Sequence, residues 1–108
     1  MSKRTEQIAS LLERIINEIL LRDFEPPLGT LVSVTSVTVA PDMKNATAYV
    51  SVIPTNKLGS TFALVKKFGS HVQHQLRQKM QTKIIPNIHW EIDDRDLKYA
   101  KIDEALRS

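Results

Sequence analysis

The order and period of the apolar residues predict an α+β domain. Its elements run α-β-β-α-β, with a three-stranded sheet covered by helices on one face. Three observations carry this. Apolar side chains recur every three or four positions over residues 8–19 and again over 62–80. Two stretches between them, 31–39 and 46–53, alternate valine or alanine with serine, threonine or tyrosine, and a third alternating stretch follows at 87–92. A period near 3.6 belongs to an amphipathic helix and a period of two to a half-buried strand. A short connection makes the first two strands an antiparallel hairpin, whereas the long helix before the third allows parallel pairing.

The first helix spans residues 4–22; either Thr5 caps it or it begins a residue or two earlier. Ile8, Leu11, Leu12, Ile15 and Ile19 form its apolar stripe, and Glu6, Glu13, Arg14, Asn17 and Glu18 are expected to face water. Pro26-Pro27-Leu28-Gly29 stops it, because tandem prolines cannot continue a helix. In the first strand, Leu31–Val39, the buried candidates are Val32, Val34, Val37 and Val39. The alternation slips between Val34 and Val37, which predicts a bulge. A turn over residues 40–45 leads to the second strand, Ala46–Ile53, ended by Pro54. After a loop over 55–59, Ser60 is the expected N-cap of the long helix, which closes before Ile84-Ile85-Pro86. Phe62, Val65, Phe68, Val72, Leu76 and Met80 fall on one arc of that helix. Lys66, Lys67, Ser70, His71, His74, Arg77, Gln78 and Gln81 stand opposite. Gly69 predicts a bend at Phe68-Gly69-Ser70. The third strand places Ile88, Trp90 and Ile92 on one side. Asp93-Asp94-Arg95-Asp96 then breaks the pattern, and residues 97–106 suggest a short final helix, frayed over the last ten residues.

The 108 residues form one domain, 1–108, with 42% apolar and 25% charged residues, a composition that disfavours disorder. There is no cysteine, which excludes disulfides and thiolate chemistry. The N-terminus lacks the apolar core of a signal peptide, and no apolar run approaches the ~18 residues of a membrane span, so a cytoplasmic location away from membranes is expected. Charge is segregated. Residues 1–42 carry four basic and six acidic groups, residues 43–90 seven basic and no acidic, and residues 91–108 four basic and six acidic. A middle third without a carboxylate is either a solvated lysine surface or a face that attracts a polyanion.

Catalytic chemistry finds no foothold. His71 and His74 have helical spacing but no further metal ligand nearby in sequence, and Asp93, Asp94 and Asp96 read as a charged turn. Phosphate-binding glycine motifs and a nucleophile elbow are absent. No enzyme activity, metal, cofactor or small-molecule substrate is expected.

The element order, with one basic helix, resembles a type II KH domain, which holds single-stranded nucleic acid beside a GxxG loop that this chain lacks. More specifically, the chain resembles bacterial ribosome-binding factor A, whose KH-like fold has a kinked helix in place of that loop. The resemblance rests on Lys3-Arg4, on Pro27-Leu28-Gly29, and on a hairpin carrying Asp42, Ala46, Tyr49 and Val50. It continues with Ile85-Pro86-Asn87-Ile88-His89-Trp90-Glu91-Ile92-Asp93 and ends with Ile102 to Leu106. The chain departs from the family at the kink: its glycine is displaced by one residue, and glutamine, Gln73, replaces the usual arginine.

The resemblance implies a non-catalytic, monomeric factor that binds the free 30S small ribosomal subunit or its 16S rRNA precursor and assists late maturation, notably in the cold. Phosphate contacts would come from Lys66, Lys67, Arg77, Lys79 and Lys83, the last two near the apolar arc, with Lys44, Lys57 and Arg4 as peripheral help. Ser70, His71, His74, Gln73, Gln78 and Gln81 would supply hydrogen bonds. Asp42, Ala46, Tyr49 and Trp90 are expected to serve the fold. A protein–protein adapter and a generic KH-like single-stranded RNA binder are the competing readings.

Overall fold

Alternating residues build the sheet as expected. The computed structural model describes residues 3–82 and 84–94. Its elements are helix α1 (Lys3–Asp23), strands β1 (Leu31–Val39) and β2 (Asn45–Ile53), a 3-10 turn (Thr55–Lys57), helix α2 (Leu58–Lys79) and strand β3 (Asn87–Ile92). The strand order is β1-β2-β3, with β1 antiparallel and β3 parallel to the central β2. The short final helix expected over 97–106 lies outside the described residues.

Both helices lie on one face of the sheet, where Val34, Val37, Ala48, Val50 and Val52 meet Leu12, Ile16, Ile19, Val65, Val72 and Leu76. Full burial of each large aliphatic side chain stabilises the fold by ~1.5–3 kcal/mol. Ile16, outside the expected stripe, is among the most completely buried residues, because α1 is covered across a wider arc than its stripe.

The slip in β1 is a bulge between Val34 and Ser36. The residue it skips is Thr35. Val34 stays opposite Val50, whose O accepts from Asp93 N on the other side, so the N–H and C=O of Val34 point to the open edge of β1 and need other partners. Asn17 provides them. Its Oδ1 accepts from Val34 N at 2.8 Å and its Nδ2 donates to Val34 O at 2.9 Å, so this residue faces the sheet rather than water. The Thr35 hydroxyl donates to Asp93 Oδ2 at 2.6 Å, which fastens the bulge to the end of β3 and leaves Asp93 half-buried.

Two expectations for α2 are corrected. Ser60 is not its N-cap. The helix begins at Leu58, whose N–H donates to Thr55 O, so the 3-10 turn leads directly into the first turn. Ser60 sits inside and donates to Lys57 O at 3.4 Å. The helix also closes earlier, at Lys79. Met80 is extended and buried, and Gln81 and Thr82 belong to the connection to β3. Through Phe68-Gly69-Ser70 the helix is unbroken.

Candidate nucleic-acid interface

Beside the apolar side that packs on the sheet, α2 presents two flanks held by other elements and an outer arc. At ~100° per residue, Gly69 and Gln73 look toward β3, and Phe68, His71 and Gln75 toward the end of α1. Between them lies an outer arc of ~120° holding Lys66, Arg77, Ser70, His74, Lys67 and Gln78, all exposed.

The β3 flank is neutral and tight. Gln73 Nε2 donates to Pro86 O at 2.9 Å, and Gln73 Oε1 accepts from Ile88 N at 3.0 Å. This side chain therefore stitches the helix to the start of β3 and is not available to bind sugars or bases, which corrects the expectation for it. One turn earlier, a Cβ added to Gly69 would stand 2.8 Å from Trp90 Nε1. Glycine here lets the helix approach the indole of the chain's single tryptophan.

The α1 flank is charged. Arg22 Nε and Nη2 donate to both oxygens of Asp23 at 2.8 Å, and Nη2 also reaches Gln75 Oε1 at 2.9 Å. His71 Nε2 lies 2.7 Å from Asp23 Oδ2. A carboxylate only accepts, so the proton is on Nε2. The hydrogen bonds from Arg22 and then from His71 hold the Asp23 carboxyl well below the usual carboxylate range. Phe68 packs edge-on to Phe24, with ring centroids 5.2 Å apart. His71 therefore belongs first to the helix–helix contact, although 41% of its side chain is exposed. Sequence reasoning missed Arg22 and Asp23, because no local signal pairs residue 23 with residue 71.

The outer arc is different in kind. Lys66, Lys67 and Arg77 join no ion pair among the described residues. Lys66 Nζ lies 5.7 Å above the Phe62 ring, and Gln78 Nε2 donates to His74 Nε2 at 3.2 Å. From Lys66 to Arg77 the arc is ~16 Å long. Lys79 is exposed but rotated off this arc, and Lys57 stands ahead of the helix in the 3-10 turn. Arg4 and Lys44, in the first turn of α1 and the β1–β2 turn, lie away from Lys57, beside the connection from α2 to β3. Lys83 lies outside the described residues.

The expected fold residues sit inside the architecture. Ala46 is buried, and Asp42 Oδ1 accepts from Lys44 N at 2.9 Å. Tyr49 is half-buried on the open face of the sheet, which carries no lysine or arginine on its strands. Glu91, Asp93 and Asp94 gather at the β3 side of that face. The exposed cations of α2 and these three carboxylates thus lie on different sides of the domain, while α1 carries carboxylates of its own at Glu6, Glu13, Glu18 and Asp23. Among the described residues, no group of three histidines or carboxylates could hold a metal ion.

The model of the family described as ribosome-binding factor A matches residues 4–106. Curated proteins of that name are similar over nearly the whole chain. The protein from Chloroherpeton thalassium is 32% identical over 99% of this chain and 87% of its own length; that from Protochlamydia amoebophila is 28% identical over 96% and 81%. Among solved structures, the crystal structure of ribosome-binding factor A from Thermus thermophilus superposes with a TM-score of 0.70 at 15% identity, covering 82% of this chain and 93% of the other. A homology model of the Thermus thermophilus ribosome-binding factor A, fitted into a cryo-electron microscopy map of its complex with the 30S subunit, gives a TM-score of 0.66 at 15% identity and covers 79% of this chain and 90% of the other. These likenesses carry the KH-like fold. With its full-length family match, the chain belongs to the ribosome-binding factor A family.

Proposed function

We propose that this protein binds the free 30S small ribosomal subunit through the outer arc of α2, and that it contacts 16S rRNA or its precursor there. The observation that carries the reading is the arc itself. Lys66, Lys67 and Arg77 are exposed and without intramolecular ion pairs among the described residues, on a helix without a carboxylate. Such cations bind phosphates by releasing the counterions condensed on the polyanion. That a family member from Thermus thermophilus has been fitted into a 30S complex supports the choice of particle.

In this reading Ser70, His74 and Gln78 hydrogen-bond between the phosphate contacts, and Lys79, Lys83 and Lys57 extend the track at its ends. The Phe68-Gly69-Ser70 segment serves as the bend that takes the place of a GxxG loop. The protein acts in the cytoplasm as a monomer, without catalysis or a small-molecule substrate. It assists late rRNA processing and maturation, with its largest effect in the cold.

Co-sedimentation with purified small subunits, large subunits and assembled ribosomes across a salt series tests this. Binding to small subunits that weakens steeply with salt is the expected result. A folded protein that binds none of the particles would contradict the reading. Binding without salt dependence would favour an adapter that docks on a protein.

A further inference from the structure

A second contact surface lies at the end of the molecule away from the 3-10 turn. The first turn of α1, the β1–β2 turn and the connection from α2 to β3 meet there around a groove of about 360 Å³. Arg4, Ile8, Met43, Thr82 and Ile84 line it. Its walls are mainly aliphatic, and Ile84 leaves 54% of its surface exposed. Met43 is held at φ 61°, the left-handed region that an unbranched side chain occupies only at a cost. From there Met43 both packs against the core and lines the groove.

The charge around the groove is one-sided. Arg4 and Ile8 are four residues apart and share a face of α1, while Glu6 points ~160° away from Ile8. Asp42 does not line the groove, and its Oδ1 is occupied by Lys44 N. Arg4 joins no ion pair among the described residues, and Lys44 is exposed next to Met43. An apolar groove edged by a guanidinium suits an unstacked nucleobase, which needs apolar or guanidinium surface for its faces and a cation for its phosphate. Thr82 follows Lys79 by three residues, so the groove begins within ~11 Å of the end of α2. One RNA strand can therefore run from the outer arc into it.

We infer that this groove captures a single unstacked base of single-stranded RNA, with Met43 and Ile84 against its face and Arg4 and Lys44 on its phosphate. The inference rests on the reading of α2 as an RNA-binding face.

Two variants test it. Met43→Gly removes a wall at a position whose backbone glycine accepts freely, and because Met43 also packs on the edge of the core its folding is checked by urea unfolding; Ile84→Gln changes an exposed side chain and leaves the core alone. Each is expected to weaken binding to purified 30S subunits roughly tenfold while leaving the salt slope unchanged, since a stacking contact is lost and no phosphate contact. Ultraviolet cross-linking of the wild-type complex followed by mass spectrometry should place a nucleotide adduct on the peptide carrying Met43 or Ile84. Adducts confined to α2 peptides, with both variants binding as wild type, would overturn the groove and leave the α2 reading standing. Cross-links from these residues to a ribosomal protein would overturn it in favour of an apolar side chain as occupant. Failure of the wild type to bind subunits would overturn both readings.

Discussion

The two flanks of α2 hold the helix by different chemistry. Toward β3 the contact is neutral: a bidentate amide from Gln73 and a glycine that lets Trp90 approach. Toward α1 it is ionic and partly exposed, with Asp23 gathering Arg22 and His71. Neutral hydrogen bonds to half-buried backbone are costly to lose, because the orphaned groups cannot recover water. Exposed ion pairs contribute little and depend on pH and salt. The stretch that reads in sequence as one basic, amide-rich face is therefore three surfaces. Two anchor the helix, and only the arc between them is left for a partner.

The largest loss of stability is expected on the β3 flank. Gln73→Leu orphans the Pro86 carbonyl and the Ile88 N–H and should cost about 2 kcal/mol in urea unfolding. Gln73→Glu keeps the acceptor for Ile88 N but sets a carboxylate against Pro86 O, so it should not recover the wild-type value. Gly69→Ala follows. Helix propensity favours alanine by ~1 kcal/mol, but its Cβ would press on a rigid indole, and overpacking costs ~1–3 kcal/mol. A net loss of about 1 kcal/mol, with a shift in Trp90 emission, is expected. An increase in stability would show that the ring yields easily.

On the α1 flank the signature is pH rather than size. The native state holds the Asp23 carboxyl well below its ordinary range, so its contribution is present above the unfolded-state value of ~3.9 and is lost as pH falls through the depressed native value. Asp23→Asn should therefore lower Tm at pH 7, and the gap to wild type should narrow as pH drops below about 4. A gap that stays constant with pH would remove the ionic account of this flank.

Much of the fold was legible because its signals are local. The Val34 to Val37 slip, the three strands, the proline stop after α1 and the glycine turn all follow from neighbouring residues. The partners that override local appearance were not legible. Asn17 looks like a surface residue until the open edge of β1 presents the Val34 backbone to it. Gln73, standing where the family pattern carries arginine, looks like a base-reading amide until β3 arrives beneath it. His71 has helical spacing with His74, yet its partner lies 48 residues away on another helix. Of the expected contact residues, the structure gathers Lys66, Lys67, Ser70, His74 and Arg77 on one arc. It separates Arg4, Lys44 and Lys57 from them, because spacing along a helix is fixed by the backbone and proximity between elements by the whole packing.

The outer arc should contribute least to stability, and there the central claim is tested most directly. The variant Lys66→Glu/Lys67→Glu/Arg77→Glu should unfold within about 1 kcal/mol of wild type, since none of the three residues is buried or in an ion pair among the described residues and the contact of Lys66 with the Phe62 ring is exposed. The measurement is its affinity for purified 30S subunits as a function of salt, beside wild type. Loss of measurable binding is predicted near ~0.1 M salt. In the neutral variant Lys66→Gln/Lys67→Gln/Arg77→Gln, the slope of log K against log salt should fall by ~2–3. Wild-type affinity and slope in both variants would show that α2 does not face the RNA.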